Sequence, residues 1–319
     1  MNKLIIISGP TASGKTKISI ELADKIMSLT NKSCVIVNFD SLLFYKEISI
    51  GTAKPNISER KGIPHYMIDI ESIKSPMNAA DFIKIGEKLI KDLMEKDQYV
   101  ILVGGSAFYL RALLKGMYES VTPSVEVKEK IDQIFREQGI SAIIDYLKLN
   151  DPESLQNLHP NDQYRLTRAA IHFEMTKTKI SDLKINHDSN LPYDFSQIIH
   201  PWNILHIYLD LPREQHFEII KNRTEKMFKD GLLIEIERLV ASGFTLNEKP
   251  LGSIGYKEAI MLKNGHFQNA TECMERIAIS TRQLAKSQRT FFNKITPKMT
   301  FNPLTDQEKI FRCVEQFLT

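Results

Sequence analysis

Cysteine is scarce in this chain. Cys34, Cys273 and Cys313 lie far apart and are odd in number, which excludes a disulfide framework and a clustered cysteine metal site and fits a reducing, cytosolic setting. The eight histidines show no H-E-x-x-H or other paired spacing, so no zinc site is expected. Long apolar runs are also lacking. Residues 4–7 are too few for a signal peptide or a membrane span, so no membrane partner is expected. Neither an internal repeat nor a low-complexity segment is present. Net charge is only +3, which by itself does not point to nucleic acid.

Acid is missing in one place where base is plentiful. Between Arg276 and Lys298 stand six basic residues (Arg276, Arg282, Lys286, Arg289, Lys294, Lys298) and no acidic one. Residues 119–200 hold nine Lys/Arg against thirteen Asp/Glu, so cationic character gathers near the C-terminus. The 319 residues suit one large domain or two smaller ones, and 42% hydrophobic with 25% charged residues is the composition of an ordinary soluble globular protein.

The first third alternates apolar runs with helical periodicity. Strands are expected over 3–8, 33–39, 66–70 and 99–103. Helices are expected over 15–29, 79–94 (with Phe82, Ile85, Leu89 and Leu93 on one face) and 106–115. This alternation implies a parallel sheet with helices on both faces. After Gly116 the pattern turns helical, over 125–136, 140–149 and 162–175, with breaks at Gly139 and Asp151-Pro152. Residues 187–201 are polar and turn-rich, 206–211 read as a strand again, and 212–292 are nearly all helical.

Gly9-Pro10-Thr11-Ala12-Ser13-Gly14-Lys15-Thr16 fits G-x-x-x-x-G-K-[ST] and lies after a strand and before a helix, as that motif requires. Glycines let backbone N–H groups wrap an anion, the helix N-terminus adds a positive dipole end, and Lys15 adds charge. Thr16 is placed to bind Mg²⁺. The loop reports a polyphosphate without saying which; ATP is the default. The fold class expected is α/β, with a P-loop parallel-sheet core in two segments. Residues 1–118 form the first, an all-helical domain is inserted over 119–200, and 201–319 form the second, largely helical and ending in a basic helix. The second strand ends at Asp40, a possible Mg²⁺ ligand, whereas the strand at 99–103 runs into Gly104-Gly105-Ser106 with no acid.

The order of further motifs is informative. Asp40-Ser41 is followed by Ile50-Gly51-Thr52-Ala53-Lys54-Pro55, Ile63-Pro64-His65-Tyr66, Ala79-Ala80-Asp81-Phe82 and Val103-Gly104-Gly105-Ser106-Ala107-Phe108-Tyr109. Later come His159-Pro160-Asn161-Asp162, Arg165-Leu166-Thr167-Arg168-Ala169, Ile254-Gly255-Tyr256 and Thr281-Arg282-Gln283-Leu284-Ala285-Lys286. The series, spanning nearly the whole chain, resembles the bacterial tRNA dimethylallyltransferase (isopentenyltransferase) family. The resemblance implies a dimethylallyl diphosphate donor, a tRNA acceptor gripped at the anticodon arm by the helical insertion, and attack by N6 of the adenosine 3′ to the anticodon. By similarity, Asp40 is the catalytic carboxylate and Ser106 helps hold the reacting groups. Asp40, Ser41, Leu42 and Leu43 meet the target nucleotide, Gln163, Tyr164, Arg165, Leu166 and Thr167 contact tRNA, and Arg223 serves the diphosphate. Three positions depart from the family pattern: Leu43-Phe44-Tyr45 replaces a Gln-Val-Tyr-like run, Ser106 replaces threonine, and Ser287 replaces an arginine, for which Arg289 is a possible substitute.

Beside these roles stand plainer ones. Asp40 alone fits a strand-end cap or a magnesium ligand, and Ser106 fits a helix N-cap. Arg282, Lys286 and Arg289 are spaced i, i+4, i+7 and share a helix face, opposite a stripe of Ile277, Leu284, Phe291 and Ile295. The face is expected to meet RNA backbone; the alternative is solvation. Arg165, Arg168 and His172 also share a face, with local pairing to Asp162 or Glu174 as the alternative. Tyr256 is expected to pack. A monomer is expected, since no long apolar stripe is left unexplained. Two other function classes share these residues: a P-loop small-molecule or nucleotide kinase, and a non-catalytic RNA-binding protein.

Overall fold

Side chains alternate between the two faces of the sheet along the first strand, β1 (Lys3–Ser8). Leu4 and Ile6 enter one apolar cluster, Ile5 and Ile7 another, and all four are buried. A strand buried on both faces belongs inside a sheet with helices on either side. The computed structural model, which describes residues 2–117, 123–156, 158–183 and 191–319, has this arrangement. β1 lies in a six-stranded sheet with β2 (Cys34–Asn38), β3 (His65–Tyr66), β4 (Tyr99–Gly104), β5 (Asn203–Leu209) and β6 (Met299–Phe301), in the order β3-β2-β4-β1-β5-β6. Every pairing is parallel, with Ile6 opposite Leu102 on one side and His206 on the other. All the strands therefore deliver their following loops to one edge.

α1 (Lys15–Thr30) packs on the Ile5/Ile7 face, and α2 (Ala79–Glu95) and α3 (Ala107–Lys115) on the Leu4/Ile6 face. A capping box opens α2: Asn78 accepts from the Ala80 and Asp81 amides, and the Asp81 carboxylate accepts from the Asn78 amide. Such a cap contributes about 1 kcal/mol. The expected strand over 66–70 stops at Tyr66, because Met67 and Asp69 adopt φ of 60° and 57° and end the extended backbone. β6 pairs only three residues at the sheet edge and was not expected from the sequence.

The chain forms two compact units, residues 1–115 with 193–319, and residues 116–192. The insertion was expected to run to residue 200. Residues 193–200 instead belong to the first unit, because Phe195 is buried among its core residues and stacks on His206, and Asp194 bridges to Thr296. The expected first boundary, at 118/119, and the start of the turn-rich stretch 187–201 lie outside the described residues. The second unit contains α4 (Val125–Asn150), α5 (Pro152–Leu155) and α6 (Gln163–Thr176) around Ile131, Ile143, Leu147, Leu166 and Ala170. α4 kinks at Gly139, where a break was expected. The first unit is completed by α7 (Arg213–Lys229), α8 (Leu232–Ala241), α9 (Tyr256–Lys263), α10 (Ala270–Phe292) and α11 (Gln307–Leu318).

Candidate active site

The phosphate loop leaves β1 at Gly9, where a side chain has no room: a Cβ there would lie 2.4 Å from the Leu209 carbonyl oxygen. α1 begins after Gly14, which supplies no side-chain cap, so the amides of its first turn remain available to an anion. Ser13 Oγ is buried and makes no hydrogen bond among the described residues. Lys15 folds back and donates from Nζ to the carbonyls of Gly9 (3.1 Å) and Pro10 (2.7 Å). Desolvation pushes its ammonium down to about 8; Asp40 opposes that fall and Arg223 adds to it. Thr16 is exposed at the start of α1.

Asp40 follows β2 at the same sheet edge. Its Oδ1 accepts from the Leu42 amide (3.3 Å), which fixes the turn 40–43. Its Oδ2 points toward Gly105, where an added Cβ would meet it at 3.6 Å, the Gly9 carbonyl at 3.4 Å and Gln288 Nε2 at 2.8 Å. Gly105 is therefore the close approach at which the phosphate loop, Asp40 and α10 converge, and no side chain fits there. Ser106 Oγ accepts from the Ser41 amide (3.2 Å) and ties the Asp40 turn to the Gly104-Gly105 turn. Ser41, Leu42 and Leu43 are half-buried beside it.

Arg223 comes from α7. It donates from Nη1 to Thr11 Oγ1 (3.2 Å) and from Nη2 to the Thr52 carbonyl (3.3 Å). Burial lowers its pKa and the charge of Asp40 opposes the shift. The Thr52 carbonyl is presented by a loop that a buried carboxylate holds from behind. Glu235 accepts from the amides of Ser49, Ile50 and Gly51 and from the Tyr256 hydroxyl, which in turn accepts from the Gly51 amide. Tyr256 is wholly buried, and Gly51 lies against its ring.

Thus Gly9–Thr16, Asp40, Ser106 and Arg223 gather at one sheet edge. The basic face does not stay together. Arg289 turns inward: Nε pairs with Asp210 (2.8 Å) and Nη2 reaches the Leu211 carbonyl and His216. Arg282 is half-buried over the Phe217 ring, and only Lys286 is fully exposed. The cause is that α10 packs on α7 through Ala278, Ala285 and Ile220, so the face that reads as basic leans on a neighbouring helix. The buried stripe is correspondingly rotated, with Ala285 and Phe292 inside and Leu284 exposed. Ser287 is also exposed and bonds back to the Gln283 carbonyl, away from the phosphate loop.

In the helical unit, Gln163, Tyr164 and Arg165 are exposed, and Thr167 and Arg168 are half-buried. Arg165 pairs with Asp162 at 3.5 Å. Leu166 is fully buried in that unit's core and His172 is 7% exposed, so neither presents a side chain to a partner. Gln288 and His216, which carried no motif, both contact the phosphate loop. Gln288 accepts from the Thr11 amide (2.8 Å) and donates to the Gly105 carbonyl (2.9 Å).

A family model described as IPP transferase matches residues 43–295. This chain belongs to the IPP transferase family. Among curated relatives, tRNA dimethylallyltransferase 2 of Geotalea uraniireducens is 35% identical over 292 residues, covering 92% of this chain and 89% of that protein. The tRNA dimethylallyltransferase of Geobacter metallireducens is 33% identical over 292 residues, 92% of this chain and 90% of its own. Of solved structures, the tRNA isopentenylpyrophosphate transferase of Bacillus halodurans superposes with a TM-score of 0.69 at 26% identity, covering 100% of this chain and 96% of that one. A eukaryotic dimethylallyltransferase solved acting on tRNA gives a TM-score of 0.77 at 23% identity over 100% of this chain and 80% of that one, a likeness of fold. The core of this IPP transferase family member is an α/β sheet of the P-loop type.

Proposed function

We propose that this chain transfers the dimethylallyl group from dimethylallyl diphosphate to N6 of the adenosine 3′ to the anticodon of tRNA, releasing diphosphate. One observation carries the reading: Asp40 and two half-buried cations, Lys15 and Arg223, converge on one anion-binding loop. That pairing suits a reaction that expels an anion while deprotonating an amine. The N6 lone pair forms the new N–C bond to C1 of the donor. The C1–O bond breaks, its electrons leave on the diphosphate, and the N6 proton passes to Asp40. Lys15, Arg223 and the α1 amides stabilise the departing charge, and Asp40 as general base contributes about 10²–10⁴ in rate. The target base leaves its stack to reach the site. Ser106 orients the turn that carries Asp40.

The oxygen donors present suit magnesium. Thr16 is the residue that would hold it, and it would neutralise diphosphate charge. The tRNA anticodon arm is the partner assigned to the exposed Gln163, Tyr164 and Arg165, with Thr167 and Arg168 beside them. A monomer working in the cytoplasm completes the reading. No helix among the described residues is long and apolar enough to cross a membrane.

The test supplies Mg²⁺, unmodified tRNA and either labelled dimethylallyl diphosphate or labelled ATP. Prenyl label entering one adenine beside the anticodon, with no ATP turnover, supports the transferase. ATP consumption without prenyl transfer would make the chain a P-loop kinase. Binding of tRNA with neither substrate turned over would make it a binding module.

A further inference from the structure

Thr11 is held at three of its atoms by two helices. Gln288 of α10 accepts its amide, Arg223 of α7 donates to its hydroxyl, and His216 of α7 meets its carbonyl through Nε2 at 2.8 Å. His216 is fully buried. Its tautomer follows from its other partner: Arg289 Nη2 approaches Nδ1 at 2.7 Å, and a guanidinium can only donate. Nδ1 therefore accepts, and the proton sits on Nε2, aimed at the Thr11 carbonyl. Arg289 is itself fixed by Asp210, which follows β5. The chain of contacts Asp210–Arg289–His216–Thr11 thus runs from the sheet edge to the back of the phosphate loop.

The next residue shows what this grip maintains. Ala12 has φ 61°, the left-handed region that a residue with a Cβ adopts only when its surroundings impose it. Its methyl packs on Ile220, Ala278 and Ala285 of the same two helices. In a trans peptide the C=O and the following N–H point in opposite directions. Turning the Thr11 carbonyl toward His216 therefore turns the Ala12 amide away from α7.

We propose that His216 is a positioning residue for the donor diphosphate: with its tautomer locked by Arg289, it holds the Thr11 carbonyl and keeps the phosphate loop in its anion-binding shape. The proposal rests on the transferase reading for its substrate, but the loop geometry it concerns is measurable with any diphosphate. Full-length wild type, His216→Leu and His216→Gln are compared by thermal melting, by calorimetric binding of inorganic pyrophosphate with Mg²⁺, and by steady-state prenyl transfer. His216→Leu removes the donor, whereas glutamine can place an amide N–H at the Nε2 position. The expected result is a pyrophosphate Kd and a donor KM raised about fivefold or more in His216→Leu, the effect of removing one hydrogen bond. The KM for tRNA stays within about twofold, and His216→Gln recovers most of the loss. Should His216→Leu not fold, His216→Asn serves by the same criteria, since its shorter side chain can still accept from Arg289 but falls short of Thr11. Pyrophosphate bound by a folded Leu or Asn variant as tightly as by wild type would overturn the proposal. So would a loss confined to tRNA KM, or a loss that glutamine fails to recover. A wild type that binds pyrophosphate but transfers no prenyl group would sink the transferase reading and leave this test standing.

Discussion

Cations at the sheet edge and cations on the helical unit live under different rules. Lys15 and Arg223 are half-buried, and each contacts named backbone or hydroxyl oxygens of the phosphate loop or its supports. Burial makes their charge costly, and an arriving anion relieves that cost. Arg165 is exposed and, among the described residues, pairs with its neighbour Asp162 at the start of α6. Such a pair is worth about 0–1 kcal/mol, and the cation remains available to another partner. A half-buried charge held against a phosphate loop marks chemistry; an exposed one marks a surface that can meet many phosphates.

The largest effect expected on that contrast is at Lys15. Lys15→Ala should lower prenyl transfer by about 10²-fold or more, the scale for removing one preorganised charge donor, with an unchanged thermal melt. Full activity in a folded Lys15→Ala would erase the distinction between the two regions. The pH dependence sharpens it. Lys15 holds its proton only up to about pH 8 in the folded chain, against 10.5 ordinarily. Donor affinity, followed by calorimetry, should therefore fall as pH rises through about 8. Saturating pyrophosphate should move the inflection upward, because the anion favours the ammonium. Stability follows the opposite sign: between those two values the unfolded chain binds more protons, so this group's contribution to stability grows as pH rises. Donor affinity flat from pH 7 to pH 9 would remove Lys15 from the anion site.

Smaller effects belong to cations outside the phosphate loop, the half-buried Arg282 and the exposed Lys286 and Arg165. Arg282→Gln with Lys286→Gln should reduce the slope of log K against log salt for tRNA binding by about 0.7–0.9 for each phosphate no longer met, and leave donor binding alone. An unaltered slope would mean that this face is merely solvated. Arg289 is left out of that pair, since it serves the phosphate loop. Smallest of all, Arg165→Ala should change the melting free energy by less than about 1 kcal/mol; a larger loss in urea denaturation would make Arg165 a structural residue.

What the sequence made legible was local. The phosphate loop could be read because strand, glycine turn and helix are consecutive, and β1, β2 and β4 because their apolar runs are continuous; β5, interrupted by His206, was expected over 206–211 and lies at Asn203–Leu209. Asp40 could be placed because it ends such a run. β6 escaped notice because three edge residues, two of them exposed, make no run. α11 was legible in principle, with Ile310, Val314 and Leu318 buried along one face. The contacts that complete the site were not legible: Gln288 meets Thr11 across 277 positions and His216 across 205. Periodicity says which residues share a face of α10, not that α7 covers part of that face. For the same reason Arg289 read as surface and Leu166 as a contact residue. Leu166 lies between the exposed Arg165 and the half-buried Thr167 but turns inward, a direction that a one-dimensional motif does not carry.

The most direct single measurement is a single-turnover experiment on Asp40→Asn. Enzyme in excess, Mg²⁺, labelled dimethylallyl diphosphate and unmodified tRNA are mixed, and the label is located in the digested tRNA. Binding of tRNA and pyrophosphate is measured on the same preparation. If Asp40 takes the N6 proton, transfer slows by about 10²-fold or more while both ligands bind as tightly as to wild type. Transfer at the wild-type rate by Asp40→Asn would contradict the assignment of Asp40 as the base.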